Sequence, residues 1–243
     1  MMMQERTHKD AEGAILFDAA VLPQVGNEWF VPDYWREQDA LRTQAGGRGG
    51  VAIIAAPMGE CVLRHYRRGG LVAALMGDRY LWTGASRTRP FAEFRLLAKI
   101  ARLGLPGPAV VAARYCRRGL IYSADLITRR IADAQTLAEC LAAGRLDGEL
   151  AEEVGALVAR FHRAGIWHAD LNAHNVLVTS DELYLIDFDR GRLRAPRNAW
   201  QQANLLRLRR SLFKLGAASQ GEAAFEEAIW QPLLYRYQRT LDA

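Results

Sequence analysis

The stretch HADLNAHNVLV (168–178), followed by LIDFD (185–189), decides how this chain reads. Upstream, residues 149–164 place Leu150, Val154, Leu157, Val158 and Phe161 at helical spacing, so an amphipathic helix feeds the stretch. Downstream, 176–178 and 183–186 are short apolar runs around Thr179-Ser180-Asp181, which read as two strands and a turn. The polar residues fall in the loop and at the strand end: Asp170, Asn175 five positions on, and Asp187. Moving phosphate to an alcohol needs a carboxylate beside the acceptor hydroxyl and oxygen ligands for the magnesium that bridges the phosphates. Alone, each of these residues is a turn former or a cap. In this order they point to Asp170 as catalytic base and to Asn175 and Asp187 as metal ligands. His168 reads as a brace for the loop, His174 as a solvated or capping residue, and His162 as a packed or surface histidine.

Outward from the loop, the two halves differ in character. Residues 1–45 look irregular or short-stranded, with loop signals at Pro23, Gly26 and Pro32. GGRGG (46–50) precedes an apolar run at 51–56, a Pro57-Met58-Gly59 turn and a second run at 61–66, which predicts a β-hairpin. Residues 89–103 carry Phe94, Leu97, Ala98 and Ala101 at helical spacing, and Gly104 and Pro106 stop them. A second hairpin is expected from 109–115 and 120–127 around Arg117-Arg118-Gly119. From about residue 133 the pattern turns helical, and the tail from about 199 stays so. Strands followed by helices predict an α+β fold with two lobes. The first, 1–130, is a β-sheet with one helix; the second, 131–243, is helical and carries the catalytic loop and metal site.

Composition narrows the partners. Half of the 243 residues are apolar, the charged share is an ordinary 24%, and the net charge is +5. Lysine occurs only at Lys9, Lys99 and Lys214, so arginine supplies nearly all positive charge. A GC-rich genome explains much of that bias. The arginines still cluster, at Arg64, Arg67 and Arg68, at Arg114, Arg117 and Arg118, at Arg190, Arg192, Arg194 and Arg197, and at Arg207, Arg209 and Arg210. Guanidinium forks suit phosphate, which leaves an anionic substrate, a membrane surface or nucleic acid open. No aromatic–basic RNA signature or helix-turn-helix pattern accompanies them, so nucleic acid is not expected. No run of about 18 apolar residues predicts a membrane span, and the polar start MMMQERTHKDAEG lacks an apolar signal core. Cys61, Cys116 and Cys140 lack metal spacing and read as free thiols in a reducing compartment.

The pattern HxDxxxxN followed by DFD resembles the catalytic loops of the protein-kinase-like superfamily. Within it, VLRHYRRGGL (62–71), GDRYLWTG (77–84), RTRPFAEFRLL (87–97), WHADLNAHNVL (167–177) and YLIDFDRG (184–191) resemble the bacterial lipopolysaccharide core kinases. The resemblance runs from about residue 30 to 215 and implies a two-lobe kinase fold, with ATP and Mg2+ as cofactors. It implies that Gly46, Gly49 and Val51 belong to the phosphate-covering loop, with Gln44 in place of its first glycine. It also puts Arg64, two residues after Val62, where kinases carry the phosphate-binding lysine, and Glu93 where its helix partner stands. Arginine binds phosphate but is not isosteric with lysine. Ala169 replaces the arginine that grips a phosphorylated activation loop, and 190–198 contains no Ser, Thr or Tyr, which fits a constitutive small-molecule kinase.

The acceptor that the resemblance implies is the 4-hydroxyl of a 3-deoxy-D-manno-octulosonic acid (Kdo) sugar on Kdo-lipid A. The enzyme would then be peripheral at the cytoplasmic face of the inner membrane. Arg67, Arg68, Arg87, Arg89, Arg190, Arg192 and Arg194 are candidates to meet its anionic groups, and Tyr80, Leu81 and Trp82 either meet the membrane interface or pack in the core. A heptose or aminoglycoside-like phosphotransferase and a non-catalytic pseudokinase remain alternatives. The sequence leaves the oligomeric state and the role of Asp189 open.

Overall fold

The computed structural model describes residues 3–45, 50–67 and 78–243. The chain divides into two compact units, Met1–Ala98 with Pro108–Arg130 and Lys99–Gly107 with Ile131–Ala243. Residues 99–107 therefore group with the second unit, although two long strands of the first unit follow them.

The first unit is built on one sheet. Its strands are β1 (Glu5–Lys9), β2 (Gly13–Asp18), β3 (Leu41–Ala45), β4 (Val51–Ala56), β5 (Gly59–His65), β6 (Tyr80–Leu81), β7 (Val110–Arg118) and β8 (Ile121–Arg129). They run in the order β1-β2-β7-β8-β5-β4-β3, and β6 pairs β8 at Tyr122 and Ile121, beyond the stretch that β5 occupies. The two hairpins expected from the sequence are β4–β5 and β7–β8. They turn at Gly59 (φ 111°) and Gly119 (φ 63°), where a Cβ would be strained. Alternation sends Ala52, Ile54, Cys61 and Leu63 to one face, into a core with Phe30, Trp35 and Ile127.

Residues 1–45 are more regular than expected. They hold β1, β2 and β3, a 3-10 turn at Asn27–Phe30 and the helix α1 (Pro32–Glu37). Six residues are under two turns, too few to show a helical period. Burial of Phe30 and Trp35 fixes the segment, and the Trp35 indole N–H donates to the Trp29 carbonyl at 2.8 Å. Helix α2 (Arg89–Arg102) buries Phe94, Leu97 and Ala98 as the spacing predicts, whereas Ala101 is exposed. Its Phe91 ring meets the Tyr115 ring of β7 edge-on at 5.1 Å.

The second unit carries β9 (Gln135–Thr136), α3 (Leu137–Ala142), α4 (Gly148–Arg163), β10 (Ile166–Trp167), β11 (Val176–Val178), β12 (Leu183–Leu185), β13 (Arg192–Leu193) and α5 (Asn198–Lys214). Helix α6 (Glu222–Phe225) runs through a π-helical turn into α7 (Gln231–Asp242). Asp147 caps α4 by accepting from the Leu150 N–H at 2.9 Å. Helix α4 buries Val154, Leu157, Val158 and Phe161. Its Gly155 sits so close to α7 that a Cβ would lie 2.2 Å from the Leu233 carbonyl oxygen. The architecture is α+β, as the sequence predicts.

Candidate active site

In the first unit, β4 and β5 pair Val51 with Arg64 and Ile53 with Val62, so these four side chains share one face of the hairpin. Glu93, which reads as a surface residue when taken alone, is buried on α2. Arg64 Nη2 lies 2.5 Å from Glu93 Oε2, and the Tyr66 hydroxyl donates to the same oxygen at 2.5 Å. The Arg64 guanidinium lies 4.7 Å from the centroid of the Tyr66 ring. Burial, then the Glu93 charge, push the Tyr66 hydroxyl well above its ordinary pKa of 10.0, so it remains a donor at neutral pH. Sequence reasoning missed Tyr66; its one signal is the two-residue offset from Arg64 along the strand. Gly46 and Gly49 lie outside the described residues, as does Arg68.

This pairing gives a test that separates structure from nucleotide binding. Arg64→Met removes the cation beside a buried carboxylate and is expected to destabilise the fold by about 3–5 kcal/mol. Arg64→Met/Glu93→Met is expected to recover most of the melting temperature and none of the ATP affinity. Thermal melts beside an ATP titration check both halves. Recovery of ATP binding in the double variant would remove Arg64 from the phosphate site.

In the second unit, α4 leads through β10 to the loop at 168–175. His168 is buried and ties the loop at both ends. Its Nδ1 accepts from the Asp170 backbone N–H at 3.1 Å, and its Nε2 lies 2.9 Å from the Ile186 carbonyl oxygen. The first contact requires a bare Nδ1, so the proton sits on Nε2 and the ring is neutral. His168 is thus a brace, as its sequence position suggests.

Below it, α5 inserts Asn204, whose Nδ2 donates to the His168 carbonyl at 2.8 Å. Asn204 Oδ1 faces both the His168 N–H and His162 Nε2 at 3.3 Å. His162 Nδ1 lies 2.8 Å from the Tyr237 hydroxyl. Sequence reasoning missed Asn204 because an asparagine within a helical pattern carries no signal of what it faces.

Burial pulls His162 from 6.5 down to about 4 and lowers His168 as well. As pH falls below about 6.5, the unfolded chain takes up protons that the folded chain refuses. The stability these two histidines contribute is therefore full above that pH and is lost through the window from 6.5 to 4, while His65, raised by its hydrogen bond to Asp125, contributes in the opposite sense. His162 alone removes about 2 kcal/mol by pH 5. Melting temperatures of a His65→Gln variant across pH 7.5 to 5 measure the loss without that opposing contribution; a flat profile would contradict the neutral network.

Asn175 and Asp187 come together through the backbone, because the Ile186 N–H donates to the Asn175 carbonyl at 3.0 Å. Asn175 is buried, and its Nδ2 donates to the Asp170 carbonyl at 2.9 Å. That commits the amide nitrogen, so Oδ1 is the Asn175 atom that could serve a cation. Asp187 adopts φ 59°, a left-handed conformation that costs a non-glycine residue energy and clusters at functional sites. Phe188 is fully buried and stacks on Phe161 at 5.6 Å, which anchors the backbone beside Asp187. Among the described residues, no three His, Cys, Asp or Glu side chains group as a metal site. An amide oxygen with Asp187, and Asp189 two residues on, instead suits a hard cation that fills its other positions with phosphate and water oxygens.

Asp170 is exposed. Arg207 of α5 reaches its Oδ1 at 2.8 Å, and Asn172 Nδ2 lies 3.2 Å from Oδ2. Sequence reasoning recorded Arg207 only as part of an arginine cluster. His174 is exposed. Of the arginines named for anionic groups, Arg67, Arg87, Arg190, Arg192 and Arg194 are exposed, and Arg89 lies 4.6 Å from the Tyr80 ring centroid. Tyr80 is buried, Trp82 half-buried and Leu81 exposed, so the three do not act as one group. The three cysteines are free.

A family model described as the lipopolysaccharide kinase (Kdo/WaaP) family matches residues 32–237. A Stenotrophomonas maltophilia (strain R551-3) protein named 3-deoxy-D-manno-octulosonic acid kinase is 50% identical over 217 residues, 88% of this chain and 84% of the relative. One of the same name from Xanthomonas axonopodis pv. citri (strain 306) is 51% identical over 205 residues, 84% and 81% of the two chains. Among solved structures, a WaaP in complex with acyl carrier protein superposes with TM-score 0.50 at 18% identity, covering 84% of this chain and 82% of that one. An aminoglycoside-3'-phosphotransferase of type VIII gives TM-score 0.52 at 16% identity, covering 90% and 94%. These two structures establish the protein-kinase-like fold.

Proposed function

The chain belongs to the lipopolysaccharide kinase (Kdo/WaaP) family, an ATP-dependent phosphotransferase acting on a hydroxyl, and from that premise we propose that it phosphorylates the 4-hydroxyl of Kdo on Kdo-lipid A. The observation that supports the chemistry is the loop geometry: His168 and Asn175 both fix the Asp170 backbone, at 3.1 and 2.9 Å, and the carboxylate it carries is exposed. The names of relatives about half identical over most of the chain carry the choice of Kdo as acceptor.

Asp170 accepts or orients the proton of the sugar hydroxyl as the γ-phosphate transfers in line. Asn175 Oδ1 and the Asp187 carboxylate would hold Mg2+. The ion, when bound, neutralises charge on the ATP phosphates. Arg64, fixed by Glu93 and Tyr66, together with Gly46, Gly49 and the apolar face of Val51 and Val62, binds the nucleotide. No described helix is long and apolar enough to cross a membrane. For a lipid acceptor we assign peripheral action at the cytoplasmic face of the inner membrane.

The test is labelled ATP with Mg2+ offered against Kdo-lipid A, heptosylated lipid acceptors and sugar-free lipid A. Label on the Kdo lipid alone, mapped to the 4-hydroxyl, is the expected result. Label on another acceptor would keep Asp170, Asn175 and Asp187 in their roles and replace the substrate. ATP binding with no transfer to any acceptor would favour a non-catalytic module.

A further inference from the structure

The β7–β8 hairpin turns at Gly119 and Leu120, where tight turns ordinarily place glycine or small polar residues. Leu120 is 78% exposed and Leu81 of the neighbouring β6 is 61% exposed; these are the two most exposed large apolar side chains among the described residues. The Trp82 N–H donates to the Leu120 carbonyl at 2.9 Å, so both leucines stand at the same end of the sheet. Pairing sets Arg118 opposite Ile121 and Ile121 opposite Leu81, one row across β7, β8 and β6 on a single face.

Positive charge surrounds this tip. Arg79, Arg114, Arg117 and Arg118 line a cavity of about 460 Å³ beside it, with Glu12 as the acid on its wall. Arg114 is committed to Asp125 at 2.9 Å, and Arg117 lies 4.6 Å from the Trp82 ring centroid. Arg79 and Arg118 are exposed and make no ion pair among the described residues.

We propose that this tip is a docking surface for an anionic lipid bilayer: Leu81 and Leu120 enter the acyl boundary while Arg79, Arg117 and Arg118 engage lipid phosphates. Two leucines beside arginines are too small an apolar patch for a stable protein interface, which buries about 800 Å² per partner. They do suit shallow insertion, in which a few apolar side chains and several cations act together. The proposal rests on the peripheral membrane action proposed above and is independent of the identity of the acceptor sugar.

The test uses the full chain sedimented with vesicles of phosphatidylethanolamine and phosphatidylglycerol, or of phosphatidylcholine alone. Each arginine near an anionic leaflet strengthens binding by about fivefold. Arg79→Gln/Arg118→Gln is therefore expected to lower partitioning to anionic vesicles by at least about tenfold and to flatten its salt dependence. Leu81→Ser/Leu120→Ser is expected to lower it by a similar factor. Both variants keep the parent's melting temperature and its turnover of a water-soluble, deacylated Kdo acceptor. A parent inactive on detergent-dispersed Kdo-lipid A would sink the substrate reading and leave the vesicle result standing. Failure of the parent to bind anionic vesicles, or variants that bind as the parent does, would overturn the proposal. So would two other outcomes: self-association that the leucine variant abolishes, making the tip a contact between copies, or binding that free inorganic phosphate competes away regardless of the leucines.

Discussion

Asp170→Asn is expected to lower kcat by about 10²–10⁴-fold, the usual contribution of a positioned general base, with ATP affinity nearly unchanged. Asparagine keeps the shape of the side chain and can still accept from Arg207, whose Nη1 lies 2.8 Å from Asp170 Oδ1 in the parent. The backbone contacts to His168 and Asn175 do not involve the carboxylate, so the loop stays in place. What is lost is the negative charge that receives or steers the hydroxyl proton. Single-turnover phosphotransfer beside an ATP binding isotherm separates the two effects. Turnover equal to the parent's would sink the assignment of Asp170.

Arg207→Met belongs in the same experiment. The Arg207–Asp170 pair is largely solvent-exposed, so its loss should leave stability little changed. Any fall in kcat then reports on the orientation of Asp170 or on charge near the transferring phosphate.

The second large effect is expected at Asp187. Asp187→Asn is expected to lower Mg2+-dependent ATP binding on the order of 10²-fold and turnover by at least as much. Asparagine is the informative choice because Asp187 sits at φ 59°. Asn tolerates that left-handed backbone, whereas Ala would add strain unrelated to the metal. ATP titrated with and without Mg2+ reads the effect directly. If the metal still tightens ATP binding in the variant as it does in the parent, Asp187 is not a ligand. Asn175→Asp gives an independent check on the same ion. It supplies a stronger oxygen ligand but loses the amide that donates to the Asp170 carbonyl. It should therefore retain metal-dependent binding while turnover falls.

Much of this was written locally in the chain. The spacing of Asp170, Asn175 and Asp187 between an amphipathic helix and two short strands is a property of some twenty consecutive residues. Neighbouring residues have few ways to arrange a helix, a loop and a strand, so local pattern suffices there. The same holds for the β4–β5 and β7–β8 hairpins and for α2, whose alternation or helical period is complete within the element. Resemblance added the place of Arg64 and Glu93, and the structure joins them across 29 positions of sequence.

Other features depended on which distant segments meet. Helix α1 was missed because six residues show no period, and burial of Trp35 rather than helix propensity stabilises it. Tyr66 on Glu93, Asn204 beneath His168 and Arg207 on Asp170 pair residues from separate elements. The types of these residues do not announce their partners, because a hydroxyl, an amide or a guanidinium pairs equally well with water until packing excludes it. The sequence by itself determined the α+β class, the kinase-like loop and the residues proposed to carry its chemistry. Only the tertiary structure decided which side chains hold those residues still and which leucines stay in the open, since burial is set by the whole fold and not by any one stretch of it.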